Sequence, residues 1–298
     1  MDRALTTQQI KQYEESGFCI VDGLIEQDLI AQARRVVDTL LSSDDVSKIA
    51  EAEPEDPTQA RRIWSPTARD GVFAQIAESP RLLDAVAQLI GDNVMYQYSK
   101  LNIKPPRVGS VVSWHQDFAY YPHTNTDLVA VLIYLDDATL DNACLKVAAG
   151  SHHRGLLSHE VEGFFAGKIS SLESVGVDAT SVVDCEAPAG TAIFLHSLVA
   201  HASEKNTSAL PRRAFIPAYR SSDAFPIYYG PHASHNEQGA KILRGTRSRY
   251  ARCDGGQWRL PIAAAEFNSL YEIQEGAHLK NAGKKSSTGY FSHESSEV

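Results

Sequence analysis

Cysteine is scarce in this chain of 298 residues. The four cysteines stand far apart and form no CxxC pair; they are Cys19, Cys144, Cys185 and Cys253. This spacing excludes a zinc site made of paired cysteines, and it does not match the pattern of a disulfide framework. We therefore expect reduced thiols, as in a protein of the cytoplasm.

Long apolar runs and excess positive charge are also absent. No segment reaches the roughly 18 apolar residues of a membrane-spanning helix, and Met1–Gln12 lacks the apolar centre of a signal peptide. The chain has 28 Lys and Arg against 37 Asp and Glu, which gives a net charge of −9. Such a chain binds nucleic acid and anionic membranes poorly. The expected partner is a small-molecule substrate, the expected location is the cytoplasm, and the oligomeric state stays open.

The hydrophobic pattern changes near residue 93 from helical to strand spacing. Before it, apolar residues recur at helical spacing in two stripes, Leu29–Leu40 and Leu82–Ile90. After it, short apolar runs alternate with turn residues, which is typical of a sandwich or jelly roll and not of a parallel α/β sheet. The predicted strands are Phe18–Val21, Val94–Lys104, Val111–Trp114, Val129–Leu135, Leu145–Ala148, Thr191–Leu195 and Arg213–Tyr219.

These patterns predict one domain over residues 1–283. It would consist of a helical N-terminal part at 1–92, a jelly-roll core at 93–220 and a C-terminal cap at 221–283. Residues 284–298 are rich in Ser, Lys and Glu and are predicted to be a flexible tail.

Two of the predicted strands run into histidine. His115 and Asp117, in Trp114-His115-Gln116-Asp117, are two residues apart, so in an extended chain their side chains point to the same face. A second strand, Phe194–Leu195, leads to His201. Two histidines and one carboxylate with open positions are the ligand set of non-haem Fe(II) oxygenases. Arg212, at the start of the next strand, can grip a carboxylate through two parallel hydrogen bonds.

From about Leu5 to Leu260 the chain resembles the phytanoyl-CoA dioxygenase family of Fe(II)/2-oxoglutarate oxygenases. The matching pieces are Gly17-Phe18, Lys104-Pro105-Pro106, Trp114-His115-Gln116-Asp117-Phe118, Asp141-Asn142-Ala143-Cys144-Leu145, Ala149-Gly150-Ser151-His152, and His201-Ala202-Ser203 followed by Arg212. Each piece is short, but their joint order and spacing are specific. One position departs from the pattern: the family commonly has glycine where this chain has Ala143, which suggests a turn that tolerates a methyl group.

The resemblance implies both a fold and an activity. The fold would be mainly β with flanking helices, in a double-stranded β-helix, which is a cupin-like jelly roll. The activity would be that of a 2-oxoglutarate-dependent dioxygenase, which uses Fe(II), 2-oxoglutarate and O2 to hydroxylate or otherwise oxidise an unactivated C–H bond. Succinate and CO2 would be released.

The resemblance also assigns roles to single residues. It implies that His115, Asp117 and His201 hold Fe(II), and that Arg212 pairs with the distal carboxylate of 2-oxoglutarate. Further co-substrate contacts are implied for Ser203 and Asn102, with Tyr134 and Gln116 as weaker candidates. Arg213 is expected to face away from Arg212, because neighbouring strand residues alternate. The presence of Asp117 favours hydroxylation, desaturation or a related oxidation over halogenation, since the halogenases of this group lack that carboxylate.

Candidate substrate residues follow from strand alternation and from closeness to the metal motif. Alternation places Tyr96, Tyr98, Lys100, Asn102 and Lys104 on one face, so Tyr98 and Lys100 are predicted to accompany Asn102 into the barrel. The residues predicted to line the mouth are Trp64, Phe118, Tyr120 and Tyr121. Phe225–Tyr229 is predicted to form part of a lid.

Three other functions stay open. Oxidation of an acyl-CoA thioester is disfavoured because the basic residues are scattered, and the one basic segment, Lys241–Arg252, is interpreted as solvated surface. A cupin-like metal-dependent isomerase would need the same metal ligands but no 2-oxoglutarate, so Arg212 and Ser203 argue against it. A non-catalytic binding module is disfavoured by the three intact metal ligands. The fold does not identify the substrate.

Overall fold

The computed structural model describes residues 4–227, 241–254 and 274. The helices are α1 (Thr7–Ser16), α2 (Gln27–Leu41), α3 (Val46–Ile49), α4 (Gly71–Ala77) and α5 (Pro80–Ile90). The strands are β1 (Phe18–Val21), β2 (Ala50–Ala52), β3 (Ala60–Trp64), β4 (Val94–Lys104), β5 (Val112–His115), β6 (Leu128–Tyr134), β7 (Leu145–Ala148), β8 (Glu160–Val161), β9 (Phe164–Phe165), β10 (Val182–Cys185), β11 (Ala192–His196), β12 (His201–Ser203), β13 (Arg212–Ser221) and β14 (Ile242–Arg244).

The strands form two main antiparallel sheets. The larger sheet has the order β1-β11-β6-β13-β4-β3-β2, and β14 also pairs with β4. The smaller sheet has the order β10-β7-β12-β5, while β8 and β9 form a separate hairpin. Side chains of both sheets share one apolar cluster, so the sheets pack face to face, as in a jelly roll. The predicted fold class, mainly β with flanking helices, is confirmed.

Strand β6 lies inside the larger sheet and is buried along its whole length. Val131 and Ile133 pack in the cluster that contains the helices, whereas Leu132 and Tyr134 pack with Val147 of the smaller sheet. Because successive strand residues point to opposite faces, one strand serves two cores. The first core lies between the helices and the larger sheet, and the second lies between the two sheets.

Capping residues fix both ends of α1. Thr6 caps α1 in a capping box with Gln9, and Gly17 ends the helix in the left-handed conformation, with φ 80°. Glycine is also needed there for space, because a Cβ would lie 2.6 Å from His152 Nδ1 and 2.9 Å from Val199. Helices α2 and α5 bury the two predicted apolar stripes in the first core.

The part at residues 1–92 contains two strands besides the predicted strand Phe18–Val21. Strands β2 and β3 lie within it and extend the larger sheet beyond β4. Arg62 and Trp64 of β3 pair with Asn102 and Lys100 of β4. In β3 both faces carry long or aromatic side chains, so no apolar alternation marks it as a strand.

The predicted common face of β4 is interrupted at one end. Tyr98 pairs with Ala218 of β13, but Tyr96 pairs with the next residue, Tyr219, so Gln97 is the extra residue of a β-bulge. The bulge reverses the alternation before Tyr98. Tyr96 therefore turns to the helical core, where its hydroxyl lies 2.9 Å from that of Thr67. The prediction that Tyr96 shares the face of Asn102 is wrong.

The predicted jelly-roll core at 93–220 contains β4 to β13, and only the last residue of β13 lies beyond it. Of the predicted cap at 221–283, the structure describes residues 221–227, 241–254 and 274. The predicted tail at 284–298 lies outside the described residues. In the described part of the chain, no helix combines the length and the apolar character that a membrane crossing requires.

Candidate active site

The two sheets bring the three predicted metal ligands together. His115 ends β5, and His201 begins β12 directly opposite it in the ladder. Gln116 has extended backbone angles, so Asp117 points to the same side as His115. The ligand atoms of His115, Asp117 and His201 all lie within 4.8 Å of one another, and all three residues are buried. This donor set fits a divalent transition metal such as iron.

Backbone carbonyls orient both imidazole rings. His115 Nδ1 lies 2.8 Å from the carbonyl oxygen of Ser113, and His201 Nδ1 lies 3.0 Å from that of Val199. A proton on each Nδ1 satisfies these carbonyls and leaves each Nε2 lone pair available for a metal. Burial lowers the pKa of both rings, and for His115 the nearby His201 lowers it further. The neutral imidazole, which is the form that binds metal, is thus favoured.

Asp117 carries the negative charge of the site. Burial alone would raise its pKa, but Lys100 and the two histidines outweigh this effect and hold the pKa well below its ordinary value. Lys100 Nζ lies 3.8 Å from Asp117 Oδ1. Burial lowers the pKa of Lys100, and the neighbouring Asp117 opposes that shift. A metal at this site therefore meets a carboxylate that is already ionised.

One cavity contains the ligands and most of the other predicted polar residues. Its polar lining consists of Arg62, Lys100, Asn102, His115, Asp117, His201, Ser203 and Arg212. Its apolar lining consists of Val112, Ala130, Leu132, Leu145, Leu195, Ala202 and Ile216. A cavity with apolar walls and a few convergent polar groups is typical of a small-molecule site.

Arg212 and Arg213 face opposite sides of the larger sheet, as alternation predicts. Arg212 lines the cavity, and its Nε and Nη2 donate to the carbonyl oxygen of Ala143 at 3.1 and 2.9 Å. Arg213 turns to the helices, where it forms ion pairs with Asp136, at 2.7 Å, and with Asp38. Arg212 is therefore positioned to bind a ligand, whereas Arg213 joins the sheet to α2.

The turn that contacts Arg212 shows why glycine suits position 143, where this chain has alanine. Ala143 has φ 68°, in the left-handed region that glycine adopts without a Cβ penalty. The alanine fits, but at a conformational cost that glycine would avoid. The same peptide presents its carbonyl group to Arg212.

Arg62 is a cavity residue that the sequence analysis missed. Its Nε donates to Asn102 Oδ1 at 3.1 Å, its Nη1 lies 3.8 Å from Glu51 Oε2, and its guanidinium lies 5.1 Å from the ring centroid of Trp64. Trp64 in turn donates to Glu51 Oε1 at 2.7 Å. Finding Arg62 required knowing that β3 pairs with β4, and its spacing from the metal motif carries no such signal.

Two weaker co-substrate candidates, Gln116 and Tyr134, are not among the residues that line the cavity. The amide of Gln116 donates to the carbonyls of Gly155 and Leu198 and accepts from Leu157 N–H, so it joins the metal loop to residues 155–157. Tyr134 donates to Cys185 O and accepts from Leu145 N–H in the second core. These contacts are structural, and a direct co-substrate role for either residue stays a prediction.

The aromatic candidates lie beside the metal ligands rather than on the cavity lining itself. Tyr98 and Tyr121 share a hydroxyl hydrogen bond, and Phe118 belongs to the same buried cluster. Tyr120 meets the His115 ring edge-on at 5.9 Å and donates to Gly167 O. Trp64 is partly buried against this cluster. Of the predicted lid, residues 225–227 are described and 228–229 lie outside the described residues.

Comparisons with known proteins agree on one family. The family described as "Phytanoyl-CoA dioxygenase (PhyH)" matches residues 13–214. A probable alpha-ketoglutarate-dependent hypophosphite dioxygenase of Stutzerimonas stutzeri is 29% identical over 230 residues, which cover 74% of this chain and 80% of that protein. An L-proline trans-4-hydroxylase of Streptomyces griseoviridis is 32% identical over 178 residues, which cover 53% of this chain and 66% of that protein.

Solved structures show the same fold. EctD from S. alaskensis with bound Fe aligns with a TM-score of 0.67 at 22% identity, covering 83% of this chain and 89% of that one. The carbocyclase SnoK from nogalamycin biosynthesis, described as non-heme and alpha ketoglutarate dependent, aligns with a TM-score of 0.62 at 17% identity, covering 79% and 89%. The family match spans most of the jelly roll and includes His115, Asp117, His201 and Arg212. The chain belongs to the phytanoyl-CoA dioxygenase family, whose members include Fe(II)- and 2-oxoglutarate-dependent oxygenases.

Proposed function

We propose that the protein uses Fe(II), 2-oxoglutarate and O2 to hydroxylate or otherwise oxidise an unactivated C–H bond of a small or medium organic metabolite. Succinate and CO2 are the co-products. The observation that carries the proposal is the convergence of His115, Asp117 and His201 on the cavity that Arg212 also lines. The relatives with names of the same chemistry, a hypophosphite dioxygenase and a proline hydroxylase, support it.

The three metal ligands, together with Arg212, Ser203 and Asn102, each have a definite task in this reaction. When bound, the metal activates O2 at the expense of 2-oxoglutarate, and the cofactor thus carries the difficult chemistry. Neutral His115 and His201 and ionised Asp117 would hold the metal. Arg212 binds the distal carboxylate of 2-oxoglutarate as a charge-assisted pair. Ser203 and Asn102 supply further polar contacts.

The apolar wall of the cavity restricts water. Ala130, Leu132, Leu195 and Ile216 are buried members of the second core, and they also line the cavity. Exclusion of water strengthens the ion pair between Arg212 and a bound carboxylate. It also protects a reactive intermediate from side reactions.

The test measures Fe(II) content, 2-oxoglutarate binding and succinate formation in the whole protein. The Asp117→Ala variant should lose Fe(II) binding and succinate formation. It should still unfold cooperatively, at a lower temperature than the metal-free wild type, because buried Lys100 loses its nearby anion. Metal is not needed for the core of a chain of this size. The matched control is His153→Ala, which removes an exposed histidine that does not line the cavity. Full activity of the Asp117→Ala variant with iron bound would refute the proposal.

A coenzyme A thioester is not the substrate in this proposal. Coenzyme A carries several phosphate charges and needs a cluster of unpaired cations, but three cations of the basic segment at 241–252 already have acidic partners. Lys241 pairs with Glu78 at 2.9 Å, Arg244 pairs with Asp84, and Arg252 pairs with Asp223 and Asp254 at 3.1 Å. Branched acyl-CoA esters should therefore not stimulate succinate formation. Strong stimulation that disappears when Arg244 and Arg247 are neutralised would contradict this.

A further inference from the structure

Lys100 is a buried cation beside the metal ligands, and the proposed function has no task for it. Its side chain is 10% exposed, and its Nζ lies 3.8 Å from Asp117 Oδ1 and 5.7 Å from the ring centroid of Tyr98. At 3.8 Å the contact with Asp117 is an ion pair without a hydrogen bond. Burying an ammonium group costs several kcal/mol unless a close anion offsets it. The position of Lys100 therefore needs a reason.

The charge balance of the loaded cavity leaves Lys100 without a matched anion. Arg62 is matched by Glu51 at 3.8 Å. Arg212 is matched by the distal carboxylate of 2-oxoglutarate. The two charges of Fe(II) are matched by Asp117 and by the other carboxylate of 2-oxoglutarate. With Asp117 binding the metal, its negative charge no longer balances Lys100. The charge of Lys100 is then the one positive charge in this balance without a matching anion.

We propose that Lys100 binds an anionic group of the substrate, a carboxylate or a similar oxoanion. This inference rests on the proposed function and narrows its substrate class to a small organic acid. Lys100 lies on β4 between Asn102 and Tyr98, and it pairs across the sheet with Trp64. An anion held by Lys100 therefore has the aromatic side chains of Trp64 and Tyr98 next to it, and these can contact the body of the substrate. A thioester group has no charge to offer at this place.

The same carboxylate chemistry has a second source, because Lys100 would also meet a carboxylate of 2-oxoglutarate if the co-substrate bound beside Asp117. The experiment separates the two sources with the Lys100→Met variant, which keeps an unbranched side chain of similar bulk and removes its charge. The control is Lys146→Met. That lysine pairs with Glu204 at 3.1 Å and Asp184 at 3.8 Å, and it does not line the cavity.

The readout is the charge-transfer absorption of the anaerobic Fe(II)–2-oxoglutarate complex, which reports binding without turnover. The first titration gives the Kd of 2-oxoglutarate. The second adds a panel of amino acids and other small carboxylic acids, each compared with its primary amide, and records which compounds perturb the band. In the wild type, acids should perturb the band and the matching amides should not. Lys100→Met should weaken acid binding by about 30-fold or more, with 2-oxoglutarate binding within about threefold of wild type.

Three results would overturn the inference. Equal perturbation of the band by acids and their amides in the wild type would show that no substrate anion is recognised. A loss of 2-oxoglutarate affinity in Lys100→Met, with acid binding unchanged, would assign Lys100 to the co-substrate instead. An equal loss in Lys146→Met would show a general charge effect. Absence of the band itself in wild type would contradict the proposed function, and it is thus distinguishable from failure of the Lys100 inference.

Discussion

The opposite orientation of Arg212 and Arg213 makes a prediction that one pair of variants can test. Arg212→Ala removes the cation that lines the cavity, whereas Arg213→Ala removes the ion pairs with Asp136 and Asp38. Losing one partner of a shielded, hydrogen-bonded charge pair costs on the order of 2–5 kcal/mol. At about 1.4 kcal/mol per factor of ten, the Kd of 2-oxoglutarate should rise by roughly 30-fold to several thousand-fold in Arg212→Ala.

Arg213→Ala should show the reverse pattern. Its loss leaves Asp136, whose side chain is only 14% exposed, without its bidentate partner. A hydrogen bond to a charged group contributes about 1.5–3 kcal/mol, so the melting temperature should fall by several degrees. The Kd of 2-oxoglutarate should stay within about threefold of wild type, because the side chain lies on the far face of the sheet.

The assay is anaerobic titration of the Fe(II)-loaded variants with 2-oxoglutarate, together with thermal unfolding. Arg212→Lys extends the test, since an ammonium group keeps the charge but cannot form two parallel hydrogen bonds. Its Kd should fall between those of wild type and Arg212→Ala. Equal Kd values for the two alanine variants, or a larger change in Arg213→Ala, would refute the orientation of β13 on which this reasoning depends.

Two further predictions concern stability. Ala143→Gly should raise the melting temperature. A residue with a Cβ costs about 1–2 kcal/mol at φ 68°, whereas the greater chain entropy of unfolded glycine offsets only about 0.5–1 kcal/mol of that gain. A lower melting temperature would contradict this prediction. The free energy of unfolding should also fall as the pH drops below about 6.5, since burial lowers the pKa of His123 and His159 to about 4 and that of His196 to about 3. As the pH falls, the unfolded chain takes up these protons before the folded chain does, so the stabilising contribution of these histidines is fully present above pH 6.5 and declines toward pH 4. Urea unfolding at pH 7 and pH 5 measures this change in the free energy of unfolding. Equal free energies at the two pH values would contradict the prediction.

The metal site was predictable because its signals are local. The spacing of His115 and Asp117 fixes a common face whenever the chain is extended between them, and Gln116 is extended. His201 was predicted from its position after a strand, and Arg212 from its position at the start of one. Their order along the chain also matches that of a known family. The strand alternation that separated Arg212 from Arg213 also needs no tertiary information.

The missed features depend on contacts between distant segments or on backbone irregularities. Arg62 reaches the cavity only because β3 joins the edge of β4, a pairing that no pattern within residues 60–64 announces. The β-bulge at Gln97 inverts the face of Tyr96, and no turn residue marks it in the sequence. The structural contacts of Gln116 and Tyr134 are with backbone groups, which the side-chain pattern does not reveal.

Strand β4 explains how one element can serve both the helical core and the cavity. Leu101 and Ile103 point to the helices, while the alternate residues Lys100 and Asn102 point to the cavity on the other face of the sheet. A shift of one residue would exchange the two sets and bury Lys100 among the helices. The bulge at Gln97 lies just before this segment, so Tyr96 joins the helical core without moving the cavity residues out of register. The irregularity at one end of β4 thus leaves the alternation unchanged at Lys100 and Asn102, where the proposed anion site needs it.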